Sequence, residues 1–155
     1  MVTALILFGL VFKLSEQKIY VVAEVDDSQE IIACADAQKG TSLVTSFIHS
    51  VQKTPVIDEL EFDGEDFILR RTKYQSHGVG QPFLESDGDF HEENGFFVID
   101  NMNRRIKRLE LRVGTGTQLC ITLDGQEHKL YEKFPAGTRI MIKSAPLIKI
   151  LLTNF

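Results

Sequence analysis

The sequence predicts a mainly β protein: an antiparallel β-sandwich or barrel with one short helix at about residues 41–52. Three observations carry that prediction. Turn dipeptides recur at short intervals, residues between them alternate apolar and polar, and no Pro/Gly/Ser-rich linker interrupts the chain. Asp63-Gly64, Asp87-Gly88, Asn94-Gly95 and Asp124-Gly125 are pairs that accept positive φ in tight hairpins. Closely spaced strands between such turns indicate a sandwich or barrel. The 155 residues suit one domain, 1–155, which at this length buries roughly 70% of the surface its unfolded chain exposes.

The elements follow in chain order. Residues 4–12 are apolar apart from Gly9 and read as a buried strand. A membrane-spanning helix needs about 20 such residues, and Lys13, Ser15, Glu16 and Gln17 end the run early. The positive charge that precedes a signal peptide's apolar stretch is missing from Met1-Val2-Thr3. Both apolar ends of the chain are therefore expected to be ordered and held by neighbours.

In 41–52, Val44, Phe47, Ile48 and Val51 recur at helical spacing. Thr41 or Ser42 can cap a helix there, and Thr54-Pro55 can end it. Leu43, Phe47 and Val51 also fit strand spacing, so a wholly β domain stays open. After Asp63-Gly64, Phe67, Leu69 and Arg71 point one way, and Ile68, Arg70 and Thr72 the other. Phe96-Phe97-Val98-Ile99 is a short strand. Leu109, Leu111 and Val113 share one face, opposite Arg108, Glu110 and Arg112. Leu119, Ile121 and Leu123 form another face. Pro135-Ala136-Gly137-Thr138 makes a turn, Ile140 and Ile142 alternate with Arg139, Met141 and Lys143, and a final apolar strand is expected over 147–153 after Ala145-Pro146.

Composition narrows function. Eleven Phe against three Tyr and no Trp favour core and contact surfaces over sugar-stacking platforms. A net charge of −5 opposes general binding to nucleic acid, whose phosphates need clustered Lys and Arg. Cys34 and Cys120 form no metal-type pair and read as free, largely buried thiols.

Few residues carry recognisable chemistry. Asp87, Asp89, His91 and Glu93 alternate, so a strand would align them as oxygen and imidazole ligands for a divalent cation. This is the one cofactor the chain suggests. The stretch departs from the calcium-loop template and lacks a second nearby His, and a solvated acidic loop between hairpins is the reading that charge runs favour. Glu59, Glu61 and Asp63 share a parity. Nothing in the sequence indicates their burial, and they read as charge protecting a sheet edge. Arg104, Arg105, Lys107 and Arg108, with Arg112 beyond, form a basic run that could meet an acidic neighbour. No aromatics are interleaved there to stack bases. The histidines at 49, 77, 91 and 128 sit in unrelated contexts, and Gly114-Thr115-Gly116 lacks the third glycine of a nucleotide loop.

The order strand, Thr-Gly-Thr (115–117), strand, Asp124-Gly125, Pro135–Thr138, strand, break, strand over residues 109–155 resembles small β-sandwich modules in accessory proteins of tailed bacteriophage particles. The resemblance implies a non-enzymatic virion component that assembles through repeated subunit contacts, as a homo-oligomer or larger particle. The interaction residues expected on this reading are Arg104, Arg105, Arg108 and Arg112 with the terminal Leu151, Leu152 and Phe155. The alternatives are a metal- or carbohydrate-binding sandwich module and an enzyme with dispersed catalytic residues.

Overall fold

The computed structural model describes residues 13–26, 28–76 and 87–153. Among the described residues twelve strands run in chain order: β1 (Gln17–Val25), β2 (Ser28–Asp36), β3 (Ser42–Ile48), β4 (Pro55–Phe62), β5 (Phe67–Tyr74), β6 (Asp89–Glu93), β7 (Phe96–Asp100), β8 (Arg104–Ile106), β9 (Leu109–Arg112), β10 (Cys120–Leu123), β11 (Gln126–Lys129) and β12 (Arg139–Pro146). Two short helices, α1 (Leu130–Lys133) and α2 (Leu147–Thr153), flank β12. No helix among the described residues is long and apolar enough to cross a membrane.

The strands form two sheets. The small one has the order β2-β1-β12-β9, and the large one β11-β10-β3-β4-β5-β7-β6, with β8 also pairing with β5. Every pairing is antiparallel. Ile19, Val21, Ile140 and Ile142 of the small sheet share one buried cluster with Leu43, Phe62, Phe67 and Ile121 of the large one. This is the β-sandwich the sequence predicts.

Asn94-Gly95 and Asp124-Gly125 have positive φ at both residues (50° and 79°, 48° and 78°). They close the β6–β7 and β10–β11 hairpins as two-residue loops. Asp87-Gly88 stands just before β6. Gly88 has φ +152° and lies so near β7 that an added Cβ would fall 2.2 Å from the Asp100 carbonyl oxygen, so close backbone approach demands glycine there.

Three expectations are overturned. Residues 41–52 hold no helix: Ser42–Ile48 is β3, followed by a turn. Its period is two, with Leu43, Thr45 and Phe47 on the core side. Thr45 is 2% exposed, and a polar residue inside the core hid the alternation from a hydrophobicity pattern. The β-branched Val44, Thr45 and Ile48 also favour the extended chain. The strict alternation after Asp63-Gly64 resets at Arg70. Glu59 pairs with Arg71 but Leu60 with Leu69, so Arg70 is an extra residue in β5 and Thr72 and Tyr74 turn inward. The expected final strand over 147–153 is α2. The strand ladder ends where Pro146 meets Gln17 and the Leu147 N–H donates to the Glu16 carbonyl. Beyond that point no strand among the described residues remains to pair with, and the backbone satisfies itself as a helix. The expected strand at 4–12 lies outside the described residues.

Candidate anion-binding cleft

The crossing from the large sheet to the small one builds a concavity. β8 pairs with β5 through Phe67–Ile106, and the chain then crosses over to begin β9 at Leu109. β9 pairs with β12 only from Arg139 to Ile142, whereas β1 follows β12 to Pro146. Residues 143–146 of β12 are thus left without a strand partner on that edge among the described residues. A cleft of about 590 Å³ opens there, bounded by the β4–β5 turn, the Lys107-Arg108 crossover and α2.

Its charge is lopsided. Lys107, Arg108, Arg139, Lys143 and Lys149 line it, against Glu24, Glu65 and Asp66. All three carboxylates are already paired, Glu65 with Arg105 at 3.8 Å. Arg139 holds Glu24 at 2.5 Å, and Arg105, from outside the cleft, holds Asp66 at 2.9 Å. Arg108 pairs with Glu110. Lys107 and Lys143, both exposed, have no carboxylate partner among the described residues. Val22, Met141 and Ala145 supply an apolar wall on the outer face of the small sheet, and the edges of Phe62 and Phe67 reach the floor. Their rings lie 5.4 Å apart, tilted by 59°.

The turn below the cleft is rigidly built. Asp63 accepts the N–H groups of Glu65 and Asp66 at 2.9 and 2.8 Å. These two bonds, with Arg105 beside them, hold its carboxyl below the usual carboxylate range. Arg105 bonds Asp63 at 2.7 Å, and its own pKa is raised, chiefly by the bond to Asp66.

The basic run is therefore divided, not one strand face. Arg104 and Arg105 lie on β8 in the large sheet, Arg108 in the crossover, and Arg112 on β9 in the small sheet, where it donates to the Gly137 carbonyl. Lys107 and Lys143 matter more to the cleft than Arg104 or Arg112. The signal that could have found them is a basic pair between strands of different sheets, which needs the topology. Leu152 is exposed on α2. Leu151 lies in the same helix, its side chain outside the described residues, as is Phe155.

The acidic stretch is placed partly as expected. Asp89, His91 and Glu93 share one face of the edge strand β6, with Asp87 just before it. Their groups are engaged separately. Asn101 donates to Asp89 at 2.6 Å, Arg71 to Glu93 at 2.7 Å, and His91 Nε2 lies 3.7 Å from Asp100. Among the described residues no group of three or more His, Cys, Asp or Glu side chains is arranged to hold a metal ion. A second cleft, about 480 Å³, lies beside this network and is lined by Arg70, Arg71, Asp100 and Asn101. Its cations are occupied: Arg71 reaches Asp100 at 2.7 Å and Arg70 reaches Glu61 at 3.2 Å.

Two further readings change. β4 lies between β3 and β5, so Glu59 and Glu61 do not guard a sheet edge. They pair across the strand with Lys73 and Arg70. Asp58, on the opposite face, is drawn into the core. Thr72, 1% exposed, donates to it at 2.6 Å, and burial pushes its carboxyl pKa up against that bond. Cys34 and Cys120 are both free, but Cys34 is exposed and Cys120 half-buried. His49 is structural, its Nδ1 accepting the Val51 and Gln52 N–H groups. His77 lies outside the described residues.

The fold and cleft define an antiparallel β-sandwich with a cationic groove at the point where one sheet hands the chain to the other. Residues 43–130 match the family described as Domain of unknown function (DUF1850), and the chain belongs to that family. No curated protein and no solved structure matches it.

Proposed function

We propose that the protein is a non-enzymatic binding module that holds an anionic partner in the cleft between β12, the Lys107-Arg108 crossover and α2. One observation carries the reading. Lys107 and Lys143 line the same concavity without a carboxylate partner among the described residues, in a chain whose net charge is −5. Unpaired cations focused in a cleft attract and orient an anion. The test is fluorescence anisotropy with labelled hexaglutamate. Binding is expected to weaken at least tenfold in the Lys107→Glu/Lys143→Glu double variant, and to weaken with salt as screening grows. Equal binding by wild type and variant overturns the reading.

A second reading, assembly of copies of this chain into a particle, is favoured by α2. Ile148 and Leu152 are 44% and 73% exposed and stand one turn apart on the same helical face. Light scattering at two concentrations tests it. A discrete multimer that Ile148→Ser/Leu152→Ser dissociates supports assembly, and a monomer at both concentrations rejects it.

A further inference from the structure

We infer that the partner of the cleft is an extended acidic peptide that adds a strand to β12 beyond Ile142, where no described strand pairs with that edge. The inference rests on the anion-binding reading above and names the partner's class. Three features converge on it.

The first is the backbone. An edge left unpaired presents N–H and C=O groups to any extended chain that reaches it. Continuing the β9 register past Ile142–Leu109 would set Lys143 opposite Arg108 and Ser144 opposite Lys107. Among the described residues β9 does not extend there, because the chain arrives from β8 in the other sheet. The cleft occupies the vacated place.

The second is charge. Lys143 on that edge and Lys107 in the crossover line the same cleft, and neither has a carboxylate partner among the described residues. An acidic strand satisfies both, and a basic one is repelled.

The third is alternation. Cross-strand neighbours project to the same face. Lys143 follows Met141 on the outer face of β12, while Ile142 faces the core. A peptide alternating acidic and apolar residues sets its carboxylates beside Lys143 and its apolar side chains toward Phe62 and Phe67.

The experiment uses the full chain and fluorescein-labelled Glu-Val-Glu-Val-Glu-Val, read by anisotropy. Two derivatives carry N-methyl groups on alternate peptide nitrogens, one set in each phase, so that charge and side chains stay and strand pairing is blocked from one edge. The parent peptide is expected to bind. At least one methylated derivative should bind tenfold or more weakly, and the Lys107→Glu/Lys143→Glu variant should lose the parent peptide by a similar factor while keeping the wild-type melting temperature. If both methylated peptides bind as tightly as the parent, strand addition is overturned and the anion-binding reading survives. If hexaglutamate binds and the alternating peptide does not, the same conclusion holds. If neither peptide binds, both readings fall.

Discussion

The two sheets distribute polarity in opposite ways. The small sheet has an apolar inner face of Ile19, Val21, Ala23, Ile140 and Ile142. It is also partly apolar outside, where Tyr20 and Val22 pack with Ala145 and Leu147. The large sheet is ion-paired on its outer face, through Lys73–Glu59 and Arg71 with Glu93 and Asp100. Yet it carries a polar row on its inner face. Thr45 stands opposite Asp58, and Asp58 opposite Thr72, between the buried Ile121 and Ile99. The family match, 43–130, covers nearly the whole large sheet, whereas β1, β2 and β12 of the small sheet lie outside it. The family's shared segment thus holds the polar core. The flanking segments supply the apolar sheet that closes the sandwich and the β12 edge that forms the cleft.

The contrast can be broken most severely from the apolar side. Ile140 is fully buried, and Ile140→Ala is expected to cost about 3–4 kcal/mol through lost transfer energy and the cavity left behind. Urea denaturation measures it; a cost below about 1 kcal/mol would show that the small sheet is not the apolar half of the core.

Next is the polar row. Thr72→Val removes the donor to Asp58 and is expected to cost about 2 kcal/mol at neutral pH. The cost should shrink in acid, where the Asp58 carboxyl is protonated and no longer a buried charge. A loss independent of pH would mean that packing, not the hydrogen bond, sets the effect.

Asp58→Asn sharpens the same point with the opposite sign. The folded pKa of Asp58 is raised. Its contribution to stability is therefore full below the unfolded carboxylate pKa and is lost as pH rises through the folded one. Asn keeps an acceptor for Thr72 without a charge. The variant is expected to gain about 1 kcal/mol at neutral pH and to lose that part of the pH dependence. Thermal melts across the acid-to-neutral range decide it, and a destabilised variant at neutral pH would show that the ionised carboxylate is the favoured form.

The smallest effects lie in the solvated turn. Asp63→Ala removes the acceptor of two backbone N–H groups, whereas Arg105→Ala removes only exposed ion pairs, which contribute little. The urea midpoint should fall more for the first than for the second. The folded pKa of Asp63 is lowered, so its contribution is present above the unfolded pKa and is lost as pH falls through the folded one. The two midpoints should converge in strong acid. The reverse order at neutral pH would mean that the ion pairs, not the turn, hold this corner.

Some of the molecule was legible from residues alone. The hairpins at Asn94-Gly95 and Asp124-Gly125 follow from local φ requirements. The faces formed by Leu119, Ile121 and Leu123, and by Ile140 and Ile142, follow from a period of two with uniformly apolar members. These are short-range properties, and a sequence displays them directly. The misreadings occurred where a long-range partner reassigns a residue. Asp58 faces inward because its hydrogen-bonding neighbour, Thr72, stands on another strand, and Thr45 lies opposite Asp58 across the sheet. Arg70 is a bulge only relative to β4, and 147–153 coils because β1 ends opposite Pro146. The cleft is of the same kind. Lys107 and Lys143 are 36 positions apart and meet only because the chain changes sheets between Ile106 and Leu109. The sequence by itself determined the β class, the turns and the apolar strand faces. Tertiary structure decided which polar groups are buried, where strands end and which charges are left unpaired, because those depend on backbone and ion partners that pairing between distant segments supplies.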